Sequence, residues 1–376
     1  MRRLKLGTVA ACGVLAMTGL AACGSDDEGS STGSAAGTST GTSTTSEKKA
    51  GKVAVLLPDS KSSVRWETVD RPFLKKAFED AGVEVSISNA EGDKSAQQQQ
   101  AEQAITNGAK VLLLVNLDSG SGAAIEANAK SRGVKVINYD RLTLKGSADY
   151  YVSFDNEAVG KLQGTEMAKA LEGKAGAQVV ELNGSPTDNN ATLFKNGYDS
   201  VLDPLYESGK LKKVADQSVP DWDNQKALTI FEQMLQKASN KVDGVVAAND
   251  GLGNAAISAL KQRKLPQIPV TGQDATLQGL QNIIAGDQYM TVYKAIKKEA
   301  DAAAKLAIAL AKGEEPAAGL VNGETADGSR QVPSVLLKPE AVTKENVGTF
   351  FGQPDYPKRD EVCAGKLAAP CKTLGL

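Results

Sequence analysis

The sequence predicts an α/β protein built as two doubly wound, mainly parallel-sheet lobes with a cleft between them. Three observations carry that prediction. Short apolar runs rich in Val, Ile and Leu alternate with helix-period segments, and glycines stand where the helices should end. The alternation runs through once from Lys52 to about Asp155 and then begins again. Nearly every strand ends on a planar or charged hydrogen-bonding side chain, at the place where open α/β sheets hold ligands.

In the first series, Val53–Leu57, Val83–Ser88, Val111–Val115, the run through Val134, Val136 and Ile137, and Tyr150–Phe154 read as strands. Helices at Pro72–Ala81, Ser95–Asn107 and Ser121–Arg132 separate them, and Gly82, Gly108 and Gly133 follow as C-caps. The helix Asn156–Leu171 leads to the second series. There, strands at Gln178–Leu182, Lys213–Ser218, Gly244–Ala248 and Pro269–Gly272 alternate with helices at Asn190–Leu202, Asp223–Ala238, Gly251–Arg263 and Leu277–Ala285. A strand Met290–Tyr293, a long Ala-rich helix Ala295–Lys312 and a strand Val335–Leu337 come last, so the chain should cross between the lobes near Asp155, Gln288 and Val321. The expected bounds are 51–155 with about 291–320 for the N-terminal lobe, 156–290 with about 321–350 for the C-terminal lobe, and 351–376 for a tail.

The 376 residues are 41% hydrophobic, ample for packed cores. Residues 1–22 stand apart: Arg2, Arg3 and Lys5 precede the apolar run Leu6–Met17, too short to span a membrane comfortably and shaped like a cleaved signal. Leu20-Ala21-Ala22-Cys23 resembles the lipobox of bacterial lipoproteins, which implies that Cys23 becomes a lipid-bearing first residue. The stretch 23–50 is mostly Gly, Ser, Thr and Ala and reads as a flexible tether. Removal of Arg2, Arg3 and Lys5 with no acid takes the formal charge from −2 to −5, a balance that does not invite nucleic acid.

Two of the four cysteines, Cys363 and Cys371, lie close together in the tail, and in an exported chain a disulfide between them is expected to persist. Free thiols are the alternative. With no histidine in the chain, Ser-His-Asp, Cys-His and Cys/His metal arrangements are excluded. The run Gly251-Leu-Gly253-Asn-Ala-Ala256 imitates a dinucleotide fingerprint, but it sits in a late unit, its final glycine is replaced by alanine, and Asp250 would repel the pyrophosphate. No metal and no cofactor are expected.

The strand ends carry the functional signal. Asp140 and Arg141 follow one strand, and Arg65-Trp66, Asp188 to Asn190, Asp221-Trp222, Asn249-Asp250, Asp274 and Lys294 follow others. Carboxylates and amides accept from hydroxyls, Arg, Lys and Asn donate to them, and a tryptophan ring covers a face of C–H groups. This is the set a sugar needs. Taken singly each signal has an ordinary explanation: a surface ion pair for Asp140 and Arg141, helix caps for Asn249 and Asp188, packing anchors for the two tryptophans. Their joint position at strand ends favours a shared site.

In order, Arg65-Trp66, Tyr139-Asp140-Arg141, Ser153 to Glu157, Ser185 to Asn190, Asp221-Trp222, Ala248 to Asp250, Gly272 to Asp274 and Thr291 to Lys294 resemble blocks of the periplasmic sugar-binding proteins of ABC importers. The likeness runs from about Lys52 to about Val347 and is greatest to the members that take D-xylose. It implies a type I periplasmic-binding-protein-like fold with three hinge crossings, and no enzyme activity. It also implies contacts to a monosaccharide, D-xylose favoured, from Arg65, Asp140, Arg141, Asp188, Asn190, Asn249, Asp274 and Lys294, with Trp66 and Trp222 over the ring. The implied partners are ABC permease subunits and, through the Cys23 lipid, the outer face of the cell membrane; a monomer is expected. The tether and the tail with Cys363 and Cys371 depart from the family pattern. A receptor for another aldose, or for a sugar-like signal feeding a sensor, is the alternative, and a glycosidase or sugar-modifying enzyme using two of the cleft carboxylates is the rival expectation from the enzyme class.

Overall fold

The computed structural model describes residues 50–376. The expected signal, the Cys23 lipid site and nearly all of the expected tether lie outside the described residues.

The first lobe is laid down by β1 (Lys52–Leu57), α1 (Arg71–Asp80), β2 (Val85–Asn89), α2 (Lys94–Thr106), β3 (Ala109–Leu114), α3 (Ser119–Ser131), β4 (Lys135–Tyr139) and β5 (Tyr150–Phe154). The second contains α4 (Asn156–Ala170), β6 (Ala177–Asn183), α5 (Asn189–Glu207), β7 (Leu211–Ser218), α6 (Asn224–Lys237), β8 (Gly244–Ala247), α7 (Asp250–Gln262), α8 (Leu277–Ala285) and β9 (Met290–Tyr293). The chain then forms α9 (Ile296–Lys312), β10 (Gly323–Ala326), β11 (Gln331–Leu337), β12 (Glu340–Thr343) and a tail with α10 (Arg359–Val362) and α11 (Ala368–Thr373).

The first sheet has seven strands in the order β10-β11-β5-β4-β3-β1-β2, all parallel except β10. Both of its faces are covered, which is why β1 reads as a continuous apolar run. Val53, Val55 and Leu57 pack with Leu74, Phe78 and the alanine face of α9, while Ala54 and Leu56 point to α2 and α3. The second sheet is β7-β6-β8, and β9 pairs antiparallel with β12. Helices α4 and α5 cross so closely that a Cβ on Gly160 or Gly197 would strike the backbone of the other helix.

Several expectations are corrected. Residues 323–337 were assigned to the C-terminal lobe, but β11 lies parallel beside β5 and completes the first sheet. Apolar periodicity marks a strand without naming its partner, and the free edge of β5 was the partner that buried Val332 and Val335. The chain therefore leaves the second sheet at Lys294–Ala295 and returns between β11 and β12. Pro269–Gly272 makes only a single bridge, Val270 to Val245. Arg65 and Trp66 are not in an open loop: residues Trp66–Asp70 form a wide helical turn that runs straight into α1. The tail folds onto α8 and β9 through Val347, Phe350, Tyr356, Val362 and Leu367, and Cys363 and Cys371 are joined in a disulfide.

Candidate functional site

Strand ends from both sheets converge. The first lobe presents Arg65 and Trp66 after β1, and Asp140 and Arg141 after β4. The second presents Asp188 and Asn190 after β6, Trp222 after β7, Asn249 after β8 and Asp274 beyond Val270, with Lys294 on the crossing after β9. All ten residues line one cavity, where Ser62, Ser63, Phe194 and Gln273 join them. Of these four, Gln273 was legible as the neighbour of Asp274, and Phe194 as the residue one helical turn after Asn190. Nothing in the sequence distinguished Ser62 or Ser63.

Arg65 anchors the first-lobe side. Its guanidinium grips Asp70 through Nε and Nη2 at 2.9 and 2.8 Å, reaches Oδ2 of Asp140 through Nη1 at 2.8 Å, and meets Glu299 of α9 at 2.6 Å. Tyr139 donates its hydroxyl to Asp70 at 2.6 Å. Burial acts to lower the Arg65 pKa, yet Asp70, Glu299 and Asp140 outweigh it and hold the group charged. For Asp140 burial would raise the pKa, but Arg65, Lys294 and Arg141 together pull it below the usual carboxylate range.

Asp140 has φ 61°, a left-handed backbone rare outside glycine. Its carbonyl is held there by three donors: Tyr151 Oη at 3.0 Å, Ser153 Oγ at 2.9 Å and Asn190 Nδ2 at 3.0 Å. Asp274, at φ 95°, is likewise turned, and Lys294 Nζ stands 3.1 Å from its Oδ1 and 4.0 Å from Asp140 Oδ2. That Asp274 oxygen faces the ammonium without an aligned hydrogen bond. The side amide of Gln273, 4% exposed, leaves Oε1 unpartnered at the same place.

On the second-lobe side the capping role and the cleft role coincide. Asn249 caps α7 by accepting from Leu252 N at 2.9 Å, which fixes its carbonyl and turns its amide nitrogen outward. Asp188 accepts from Asn190 N at 2.9 Å and from Trp222 Nε1 at 3.1 Å, and its Oδ2 lies 3.0 Å from Arg141 Nε across the cleft. Both indoles are mostly buried: Trp222 packs edge-on to Phe194 at 6.3 Å, and Trp66 carries the Arg65 guanidinium 4.5 Å above its ring. They are core residues of their lobes as well as walls of the cavity.

The glycine-rich start of α7 has no dinucleotide character. Asp250 is consumed by Thr276, Gln288 and Thr291, and it ties the start of α8 and the loop before β9 to β9 itself. Among the described residues no group of three or more His, Cys, Asp or Glu is placed to hold a metal ion. Free space between the side chains amounts to about 30 Å³, roughly the room of one water, so an organic ligand enters only as lobes part or side chains swing aside.

Residues 53–315 match the model of the periplasmic binding protein domain. The chain is 40% identical over 299 residues to a D-xylose-binding periplasmic protein of Haemophilus influenzae, covering 79% of this chain and 88% of that one. It is 38% identical over 316 residues to a D-xylose-binding periplasmic protein of Escherichia coli, covering 84% and 93%. A carbohydrate transporter solute-binding protein of Chloroflexus aurantiacus, solved with D-glucose, superposes with a TM-score of 0.74 at 28% identity over 81% of this chain and 98% of that one. With a two-sheet architecture and a cleft of converging strand ends, and with these relatives over most of its length, the chain belongs to the periplasmic binding protein family.

Proposed function

We propose that the protein is an extracytoplasmic receptor that closes on a monosaccharide, D-xylose in preference to other aldoses, and delivers it unchanged to an ABC permease. The observation that carries this reading is the convergence of Arg65, Asp140, Arg141, Asn190, Asn249 and Lys294 between two indole walls contributed by opposite lobes. Adjacent sugar hydroxyls each donate and accept, and the ring's C–H face lies against an indole, so this mixture of fixed donors and acceptors suits a pyranose. The two D-xylose-binding relatives favour the pentose. The D-glucose complex of the Chloroflexus relative makes another aldose the alternative.

The carboxylates do not favour hydrolysis. Asp140 is held ionised by its cationic neighbours; burial raises the pKa of Asp188, but Asn190 N, Trp222 Nε1 and Arg141 already occupy both its oxygens, so neither carboxyl is free to deliver a proton to a glycosidic oxygen. The Leu20–Cys23 motif supports a lipid anchor on Cys23 at the outer face of the membrane, with the protein acting as a monomer. Mass spectrometry of ligand released from freshly purified protein, followed by calorimetry with D-xylose, D-ribose and D-glucose, tests the sugar. A preference for xylose of at least tenfold is expected, since each unmatched buried polar group costs about 1–3 kcal/mol. Equal affinity for the three removes the xylose assignment.

A further inference from the structure

The helix α9 starts badly. It opens on Ala295, which offers no side-chain cap, although the first turn of any helix leaves backbone N–H groups without partners. The missing acceptor comes from the tail: Oδ2 of Asp355 takes the backbone N–H of Lys297 at 3.0 Å. Its other oxygen, Oδ1, accepts the hydroxyl of Tyr293 at 2.7 Å. A single carboxylate thus spans the crossing from both sides of Lys294, tying the end of a second-lobe strand to the start of a first-lobe helix. Phe350 and Tyr356 of the tail hold Tyr293 edge-on at 5.2 and 5.3 Å, so the carboxylate and its target are both fixed.

We propose that Asp355 is a positioning residue for the cleft, acting through Lys294 by bracing the crossing on which it stands; this rests on the receptor reading above. Without the brace, the residues of the crossing would be ordered only when ligand engages Lys294. The cost of ordering would then move from folding to binding, which lowers affinity.

The test compares Asp355→Ala, Asp355→Asn and the milder Tyr293→Phe, in the full chain and in a Lys294→Met background, with D-xylose and D-glucose as probes. Asp355→Ala is expected to weaken binding roughly tenfold, the scale of a lost N-cap, and Asp355→Asn, an equally good cap, to recover most of it. In the Lys294→Met background the Asp355→Ala effect should shrink below threefold, because the residue through which it acts is gone. Acylation of the Lys294 amine, read by peptide mass spectrometry without sugar, should quicken several-fold in Asp355→Ala and less in Tyr293→Phe. A full tenfold loss in the Lys294→Met background, or wild-type labelling of Lys294 in Asp355→Ala, overturns the proposal. Should the wild type bind neither sugar, the receptor reading fails while the labelling rate still decides the brace.

Discussion

Nε of Arg141 stands 3.0 Å from Oδ2 of Asp188, and the two residues belong to opposite lobes. The pair is almost fully buried, so its attraction is little screened and each partner would be costly alone. Asp188 also receives Trp222 Nε1 and its own helix N-terminus, which makes it the point where ion pair, ring and cap meet.

Asp188→Asn keeps one oxygen, enough for Asn190 N, but puts an NH2 donor where Oδ2 accepts from Trp222 Nε1 and faces Arg141, and it deletes the charge. Sugar affinity should fall by about 2–4 kcal/mol, with the loss mainly in the dissociation rate. Stopped-flow kinetics with calorimetry checks this. An unchanged dissociation rate would mean that the pair does not hold the lobes together.

Trp222 serves the lobe core as well as the cleft, so the choice between packing anchor and ring cover that the sequence posed is not a real alternative. Trp222→Ala should lower empty-protein stability by about 3–5 kcal/mol and weaken sugar binding together. Gly184→Ala disturbs the same ring without removing it. A Cβ there would collide with the far edge of the Trp222 ring while changing no polar side chain of the cleft. Affinity should drop at least tenfold for that single methyl, whose intrusion costs about 1–3 kcal/mol; denaturant titration alongside calorimetry reports both quantities.

The ten cleft residues were legible because doubly wound sheets bring every strand's carboxyl end to the same side, so strand boundaries alone gather their side chains. What supports them was not legible. Asp70 and Glu299 meet Arg65 from 5 and 234 residues away, and a helix-period alanine-rich stretch gives no hint that one glutamate in it faces a cleft. The left-handed turn at Asp140 depends on hydrogen bonds from Ser153 and the distant Asn190, and neither it nor the turn at Asp274 falls on a glycine. The tail's destination was hidden for the same reason: the apolar face of α8 and the rim of Tyr293 that receive it exist only once the second lobe has folded.

The disulfide loop should matter locally. Cys363 and Cys371 close a loop of about nine residues, worth roughly 2–3 kcal/mol in the chain-entropy picture. Asp355 lies before that loop and is held by its own aromatic neighbours. Reduction is therefore expected to lower the melting temperature by a few degrees while leaving sugar affinity within twofold. Melting curves and calorimetry with and without reductant decide it, and a collapse of affinity would show that the loop itself holds the crossing.

Glu299 should give stability a pH dependence of its own. Burial raises its pKa to about 8 against the pull of Arg65, and the nearby carboxylates of Asp140 and Asp70 push in the same direction as burial. Because the folded pKa lies above the unfolded one, the folded state binds the extra proton between roughly pH 4.5 and 8. Its contribution to stability is then complete below that window, declines as pH rises through it, and is flat above. Glu299→Gln keeps an oxygen for Arg65 and cannot ionise, so the variant should lose this share of the slope and gain on the wild type most clearly at pH 8 and above. Asp250, raised by burial to about 6, titrates in the lower part of the same range and remains in both proteins, so the difference between their denaturation curves isolates Glu299. Parallel stability curves for the two proteins from pH 5 to 9 would show that Glu299 is ionised throughout and that Arg65 needs its charge.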